Sequence, residues 1–350
     1  MTITTKLIIV LTLSLPVVCL ANSGFIEYTN SNYVRDIRVI QNYSVAEYGP
    51  IGTFSLDFSP STSKLLHSFS HDNGYSLRII DLLEGHVREI LRRPDPYTSQ
   101  NYTAGTFARA FFITEDLIVV DYKQMLPGNF SLWTLNLTSW EFKQLLNESP
   151  TPTARISSQI LAFEEDEVWL VSPNGDVKIL FSNNVALGAR PTASGDRLLL
   201  DYGDGRGNYS VWISDLDGKN KRQLIAYPQS ATTGHWTRDG RIYFMTEPNP
   251  QGPFDFRNLM VKPDEASEPV QVTRFPFQIY DLRVTPDGGR AALLADIITP
   301  SGYIDRSHIL LLELKPNQTK PAPPQPGFEL AIALAALLGA RLIYHRQRPQ

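Results

Sequence analysis

Five histidines lie outside the extreme C-terminus: His67, His71, His86, His235 and His308. Imidazole is the usual neutral-pH base and a common metal ligand, so these are the first residues to test for chemistry. His67 and His71 are spaced to share one face of a strand. A metal-dependent lyase would need several histidines and carboxylates converging on one point. The spacing of these five instead reads as turn and packing histidines. Asp215, Asp217 and Asn220 look like the start of a calcium loop, but the closing glutamate and the flanking helices of an EF-hand are missing. The glycines of Gly203-Asp204-Gly205-Arg206-Gly207 have no helix after them, so they do not form a dinucleotide loop. There is no Gly-x-Ser-x-Gly elbow, no His-Glu-x-x-His and no phosphate loop. The chain has one cysteine, which excludes an internal disulfide or a cysteine-rich metal site. No catalytic residue, metal site or cofactor is expected. Trp133, Trp169 and Trp212 recur at equivalent strand positions and read as packing residues. Trp236, Phe254 and Phe256 lie in or beside loops and are the candidate ligand contacts.

A second kind of chemistry is more frequent. Asn-x-Ser/Thr sequons occur at Asn42, Asn101, Asn129, Asn136, Asn147, Asn208 and Asn317, none with proline in the middle. Their number points to an N-glycosylated, exported chain. The N-terminus agrees. Lys6, the apolar run Leu7–Leu20 and small residues before Ala21 form a secretory signal over residues 1–21, with cleavage expected after Ala21. Without residues 1–21 and 328–350 the balance is 28 Lys+Arg against 35 Asp+Glu. There is no basic excess of the kind a nucleic-acid binder shows, so nucleic acid is not an expected partner.

The C-terminus has three parts. Residues 316–327 are a proline-rich spacer, including Lys320-Pro321-Ala322-Pro323-Pro324-Gln325-Pro326, which favours extended geometry. Pro326-Gly327-Phe328 follows, then a short apolar run and Arg341, Arg346 and Arg348. Residues 328–350 are expected to form the membrane segment, its Phe328–Tyr344 stretch at the short limit for a spanning helix and the arginines on the cytoplasmic side. This tail resembles the PGF-CTERM sorting signal of archaeal surface proteins. The resemblance implies an archaeosortase as processing partner, removal of the hydrophobic tail and attachment of a lipid near Pro326, Gly327 and Phe328. A plain single-span anchor is the alternative. Both readings put the main body at the cell surface, attached to the membrane through the C-terminus.

The body repeats. Apolar strands beginning at Ser76, Ser131, Glu167, Ser210, Asn258 and His308 are each spaced 36–55 residues from the next. This is the period of propeller blades. Glu84-Gly85, Asn174-Gly175 and Asp217-Gly218 supply the turn chemistry of tight hairpins. Fourth strands follow in five units: His86–Leu91, Glu141–Leu146, Asp176–Phe181, Asn220–Ile225 and Pro269–Arg274. The sixth unit has none. Val34-Arg35-Asp36-Ile37 matches Val87-Arg88-Glu89-Ile90, so Tyr33–Ile40 is expected to complete the last blade and remove its open edge. The expected fold is therefore all-β: a six-bladed β-propeller over residues 25–315, closed by an N-terminal strand, plus a C-terminal membrane helix.

The repeat resembles the TolB-type propeller, most clearly in Val211-Trp212-Ile213-Ser214-Asp215-Leu216-Asp217-Gly218-Lys219-Asn220-Lys221-Arg222-Gln223-Leu224-Ile225. Phe58-Ser59-Pro60 and Val284-Thr285-Pro286-Asp287-Gly288 resemble the same family's entry turn. The resemblance implies protein–protein contact as the leading mode of action. The functional expectation is a non-enzymatic surface module binding an envelope protein or glycan beside the surface layer. A propeller-type carbohydrate-active enzyme, a lyase or hydrolase, is the alternative.

Overall fold

The computed structural model describes residues 28–44, 47, 52–71, 74–93, 105–124, 130–148, 150–164, 167–182, 186–203, 209–226, 232–246, 258–275, 278–298 and 304–317. The expected signal segment, the tail from residue 318 and the expected C-terminal helix lie outside them. Among the described residues no helix is long and apolar enough to cross a membrane.

The strands assemble into six four-stranded antiparallel sheets. β1 (Tyr28–Thr29) and β2 (Val34–Ser44) come first. Blade 1 is β3 (Gly52–Phe58), β4 (Lys64–His71), β5 (Gly74–Asp81) and β6 (Val87–Arg93). Blade 2 is β7 (Gly105–Phe112), β8 (Leu117–Gln124), β9 (Phe130–Asn136) and β10 (Phe142–Leu146). Blade 3 is β11 (Thr151–Ile156), β12 (Gln159–Glu164), β13 (Glu167–Val171) and β14 (Val177–Ser182). Blade 4 is β15 (Ala186–Pro191), β16 (Arg197–Gly203), β17 (Tyr209–Asp215) and β18 (Arg222–Ala226). Blade 5 is β19 (Thr232–Trp236), β20 (Ile242–Thr246), β21 (Asn258–Lys262) and β22 (Val270–Gln271), followed by β23 (Thr273–Arg274). Blade 6 is β24 (Gln278–Val284), β25 (Arg290–Ile298) and β26 (Ile304–Leu314), with β2 as its outer strand.

The second and third strands of a blade are covered by neighbours on both faces, so they read as near-continuous apolar runs. In β20 and in β21 every residue is buried. Six hydrophobic clusters result, one in each gap between adjacent blades. The gap between blades 5 and 6 holds Tyr243, Met245, Leu259, Leu293, Leu310 and Leu312.

Ring closure is as the sequence repeat anticipates, and longer. β2 pairs antiparallel with β26 from Val34↔Leu314 to Ser44↔Arg306, with register shifts at Val34/Asp36 and Val39/Gln41. One expectation needs correction. The outer segment of blade 5 is not one strand over Pro269–Arg274. Val272 donates its N–H to Leu259 O within the blade, while its carbonyl accepts from Asn30 N at 2.8 Å. The chain then leaves the sheet, and Thr273–Arg274 pairs with β1 instead. The N-terminal segment therefore fastens both blade 5 and blade 6.

The turns between first and second strands of blades 5 and 6 share one device. Thr237 and Thr285 donate their hydroxyls to Asp239 and Asp287, at 2.6 and 2.5 Å, and Gly240 and Gly288 follow at positive φ. Arg241 is 1 % exposed and ties three segments together. It donates to Asp239 Oδ2 at 2.8 Å, to Gly288 O at 3.2 Å and to Lys315 O at 2.6 Å.

Candidate binding site at the central mouth

The inner strands β3, β7, β11, β15, β19 and β24 run in the same sense along the central axis. Alternation across a strand then gives each an equivalent axis-facing position, the residue before its last. These are Asp57, Phe111, Arg155, Arg190, His235 and Arg283. All six line one cavity of about 460 Å³, whose rim is formed by the turns at Pro60, Ser157, Ser194, Arg238 and Pro286. Because every blade contributes, the cavity lies on the axis.

Adjacent inner strands do not pair as β-ladders, so side chains bridge them. The Asp57 carboxylate accepts from Phe112 N at 2.8 Å, and Ser55 Oγ accepts from Ala110 N at 3.1 Å, joining blades 1 and 2. Thr153 donates to Ala189 O at 2.8 Å, joining blades 3 and 4. His235 Nε2 donates to Leu282 O at 2.8 Å, joining blades 5 and 6. Between blades 6 and 1, Asp281 Oδ2 accepts from Leu56 N at 2.9 Å, while Arg283 Nε donates to Leu56 O at 2.6 Å. Arg190 pairs with Asp201 at 2.8 Å, and the Arg283 guanidinium stands 5.1 Å from the Phe111 ring centre. The side chains of the cavity floor are thus positioned before any ligand arrives.

This environment changes protonation. Burial pushes Asp57 up to about 6, opposed by the charges of Arg155 and Arg283. Burial holds His235 well below its ordinary range, and Arg190 and Arg283 add to that, so the ring is neutral. With Nε2–H donating, Nδ1 carries the lone pair. On the second strand of blade 2, burial pushes Asp121 up to about 7 against the opposing charge of Arg109.

The residues singled out in the sequence divide. His235 lines the mouth. His67 and His71 do share a face with Phe69 between them, His67 stacked on its ring at 5.4 Å and His71 tilted against it at 5.3 Å, and both are buried. Burial lowers His67 to about 3, so it packs as a neutral ring. Trp133, Trp169 and Trp212 each donate their indole N–H to the side chain two residues earlier: Ser131, Glu167 and Ser210, at 2.8, 2.8 and 2.9 Å. Asp215, Asp217 and Asn220 close a turn on themselves, Asn220 donating to Asp215 at 2.6 Å and Lys219 to Asp217 at 2.7 Å. Among the described residues no cluster of histidine, aspartate and glutamate could hold a metal ion. Trp236 lies in the cavity wall, but its ring packs into the gap between blades 4 and 5 with the Arg197 guanidinium 5.0 Å from its centre. Phe254 and Phe256 lie outside the described residues, as do Asn101, Asn129, Asn208 and Pro326-Gly327-Phe328. Asn42 and Asn147 are exposed, and Asn317 is half-buried. Asn136 caps a turn, its amide oxygen accepting from Thr138 N and Ser139 N, both at 2.9 Å.

Inspection of motifs missed Asp57, Arg155, Arg190 and Arg283. Their signal is positional. Aligning the ends of the six inner strands would have put them in one column.

A six-bladed propeller of TolB-like build, carrying a basic axial mouth, is the class this architecture defines. Comparison with known proteins agrees. The PGF-CTERM motif matches residues 325–347 and marks an exported, membrane-anchored surface protein of archaea. No curated protein matches the chain in sequence. Among solved structures, a TolB-like protein from Agrobacterium tumefaciens is 11% identical with a TM-score of 0.52, over 81% of this chain and 99% of that one. The tricorn protease is 15% identical with a TM-score of 0.50, over 72% of this chain. This chain spans only 25% of the tricorn protease chain. An oligogalacturonate lyase in complex with manganese is 14% identical with a TM-score of 0.48, over 77% and 79% of the two chains. At such identities the likeness is one of fold alone.

Proposed function

We propose that this chain is a non-enzymatic binding module of the archaeal envelope. Its signal segment is removed after Ala21, exposed sequons such as Asn42 and Asn147 carry glycans, and an archaeosortase processes the tail at Pro326-Gly327-Phe328. The propeller presents its axial mouth to an envelope protein or glycan. The supporting observation is the preformed cavity, with arginines in its wall and with Asp57, Thr153, His235 and Arg283 bonded to neighbouring inner strands. Those side chains serve blade-to-blade cohesion, which suits a rigid receptor.

The test is site-directed photocrosslinking in the native host. A photoreactive residue replaces Arg238 at the rim or, as control, Lys178 on the outer strand of blade 3. An adduct with an envelope component from position 238 and none from 178 is expected. Equal adducts at both positions, or depolymerisation of an acidic polysaccharide by the purified chain, would overturn the reading. Glycopeptide mass spectrometry of the same material checks the sequons, with sugar expected at Asn42 and Asn147.

A further inference from the structure

The mouth is basic on a body that is acidic overall. Arg155, Arg190, Arg238 and Arg283 line the cavity, and Asp57 is its only carboxylate among the described residues. Each guanidinium has five N–H donors. Among the described residues, Arg190 uses one nitrogen, NH1, on Asp201, and its buried Nε has no hydrogen-bond partner. Among the described residues Arg155 uses NH1 alone, on Phe112 O at 3.4 Å. Arg238 stands exposed at the rim, where among the described residues only its backbone N–H is engaged, with Pro286 O at 2.8 Å. The site therefore holds a surplus of fixed cationic donors.

The rim differs from the floor. Pro60, Pro191 and Pro286 interrupt it, among the hydroxyl side chains of Ser59, Ser157, Thr192, Ser194 and Thr237. Proline offers apolar surface and no N–H. A ligand group that satisfies both layers carries an anion at its tip and an apolar part just behind it. The floor is ringed by inner strands on all sides, so a chain end reaches it more readily than the middle of a chain lying across the turns. A sugar acid supplies the charge but surrounds it with hydroxyls, and the rim hydroxyls of Thr192, Ser194 and Thr237 are already spent on Asp196 and Asp239 within their own turns.

We propose that the mouth captures the free C-terminal carboxylate of a peptide whose last side chain is apolar, with Arg155, Arg190 and Arg238 on the carboxylate and the rim prolines on the side chain. Planar guanidinium and carboxylate match in geometry, and such charge-assisted pairs are the strong ones. This deepens the proposed binding function and rests on it.

The experiment is titration calorimetry of the full chain in detergent with three probes: acetyl-Gly-Gly-Leu, the same peptide as its C-terminal amide, and glucuronic acid. The free acid is expected to bind at one site, and the amide about tenfold more weakly or not at all. Arg238→Ala, at an exposed position that leaves the fold intact, should weaken the acid several-fold. Arg155→Gln should weaken it about tenfold, with partial rescue by Arg155→Lys. Thermal melts of each variant check folding. Equal binding of acid and amide, an unaltered affinity in both Arg238→Ala and Arg155→Gln, or stronger binding of glucuronic acid would overturn the proposal. If the peptide acid fails to bind while residue 238 still crosslinks to an envelope component, this inference falls and the binding reading stands. If both fail, both fall.

Discussion

Removing the N-terminal segment in two steps separates its two fastenings. A chain beginning at Tyr33 loses β1 and Asn30 but keeps β2 and, just before it, Tyr33 O, which accepts from Lys315 N. What goes is the short Tyr28–Thr29 pairing with Thr273–Arg274, the Asn30 N–Val272 O bond and the Asn30 Nδ2–Gln271 O bond at 3.2 Å. At roughly 0.5–1.5 kcal/mol net per hydrogen bond, the loss is about 2–6 kcal/mol. A chain beginning at residue 45 also loses β2, with the buried side chains of Val34, Ile37 and Tyr43. Burial of each contributes about 1.5–3 kcal/mol, so about 5–9 kcal/mol disappears, comparable to the whole stability of a typical domain. It also bares the edge of β26 for pairing with other chains. The assay is thermal unfolding by circular dichroism with size exclusion, on chains beginning at residues 22, 33 and 45 in the same detergent. The shorter cut should lower the midpoint by several degrees, roughly 2 °C per kcal/mol at this size. The longer cut should abolish cooperative unfolding or cause aggregation. A chain from residue 45 that melts like the chain from residue 22 refutes the closing role of β2.

Asp57 is protonated more readily in the fold than in the open chain, so its contribution is full below about pH 4 and lost as pH rises through about 6. Asp57→Asn keeps an acceptor for Phe112 N and removes that loss. Denaturant titrations should show the variant gaining on the parent between pH 4 and 6, by at most about 3 kcal/mol and less where the cavity admits water; a constant difference across that window contradicts the assignment. Arg241→Met should destabilise by about 3–5 kcal/mol, because it leaves Asp239 without its buried cation, and Asp239→Leu added to it should recover part of the loss. A combined variant as unstable as the single one would show that the ion pair is not the cause. Gly327→Leu should make uncut precursor accumulate in the native host, read by mass spectrometry of membrane extracts, whereas normal maturation of that variant would reduce the tail to a plain anchor.

The sequence by itself was enough for what depends on neighbours along the chain. Strand alternation, Asp-Gly and Asn-Gly turns, and a unit recurring six times are local patterns, and they determine the blades. The match of Val34-Arg35-Asp36-Ile37 to Val87-Arg88-Glu89-Ile90 exposed ring closure, because an outer strand carries the same pattern wherever it sits in the chain. The sorting tail is likewise a linear address. The β1–β23 pairing was not legible, since two residues of strand hold no periodicity and Val272 changes partners only because Asn30 lies beside it. The mouth was decided by tertiary structure for a related reason. Asp57, Phe111, Arg155, Arg190, His235 and Arg283 are equivalent by position but not by residue type, so no motif joins them. Rotation of the blades about one axis brings their ends together. Burial there, unlike anything in the linear order, raises Asp57, keeps His235 neutral and concentrates arginine charge in one cavity.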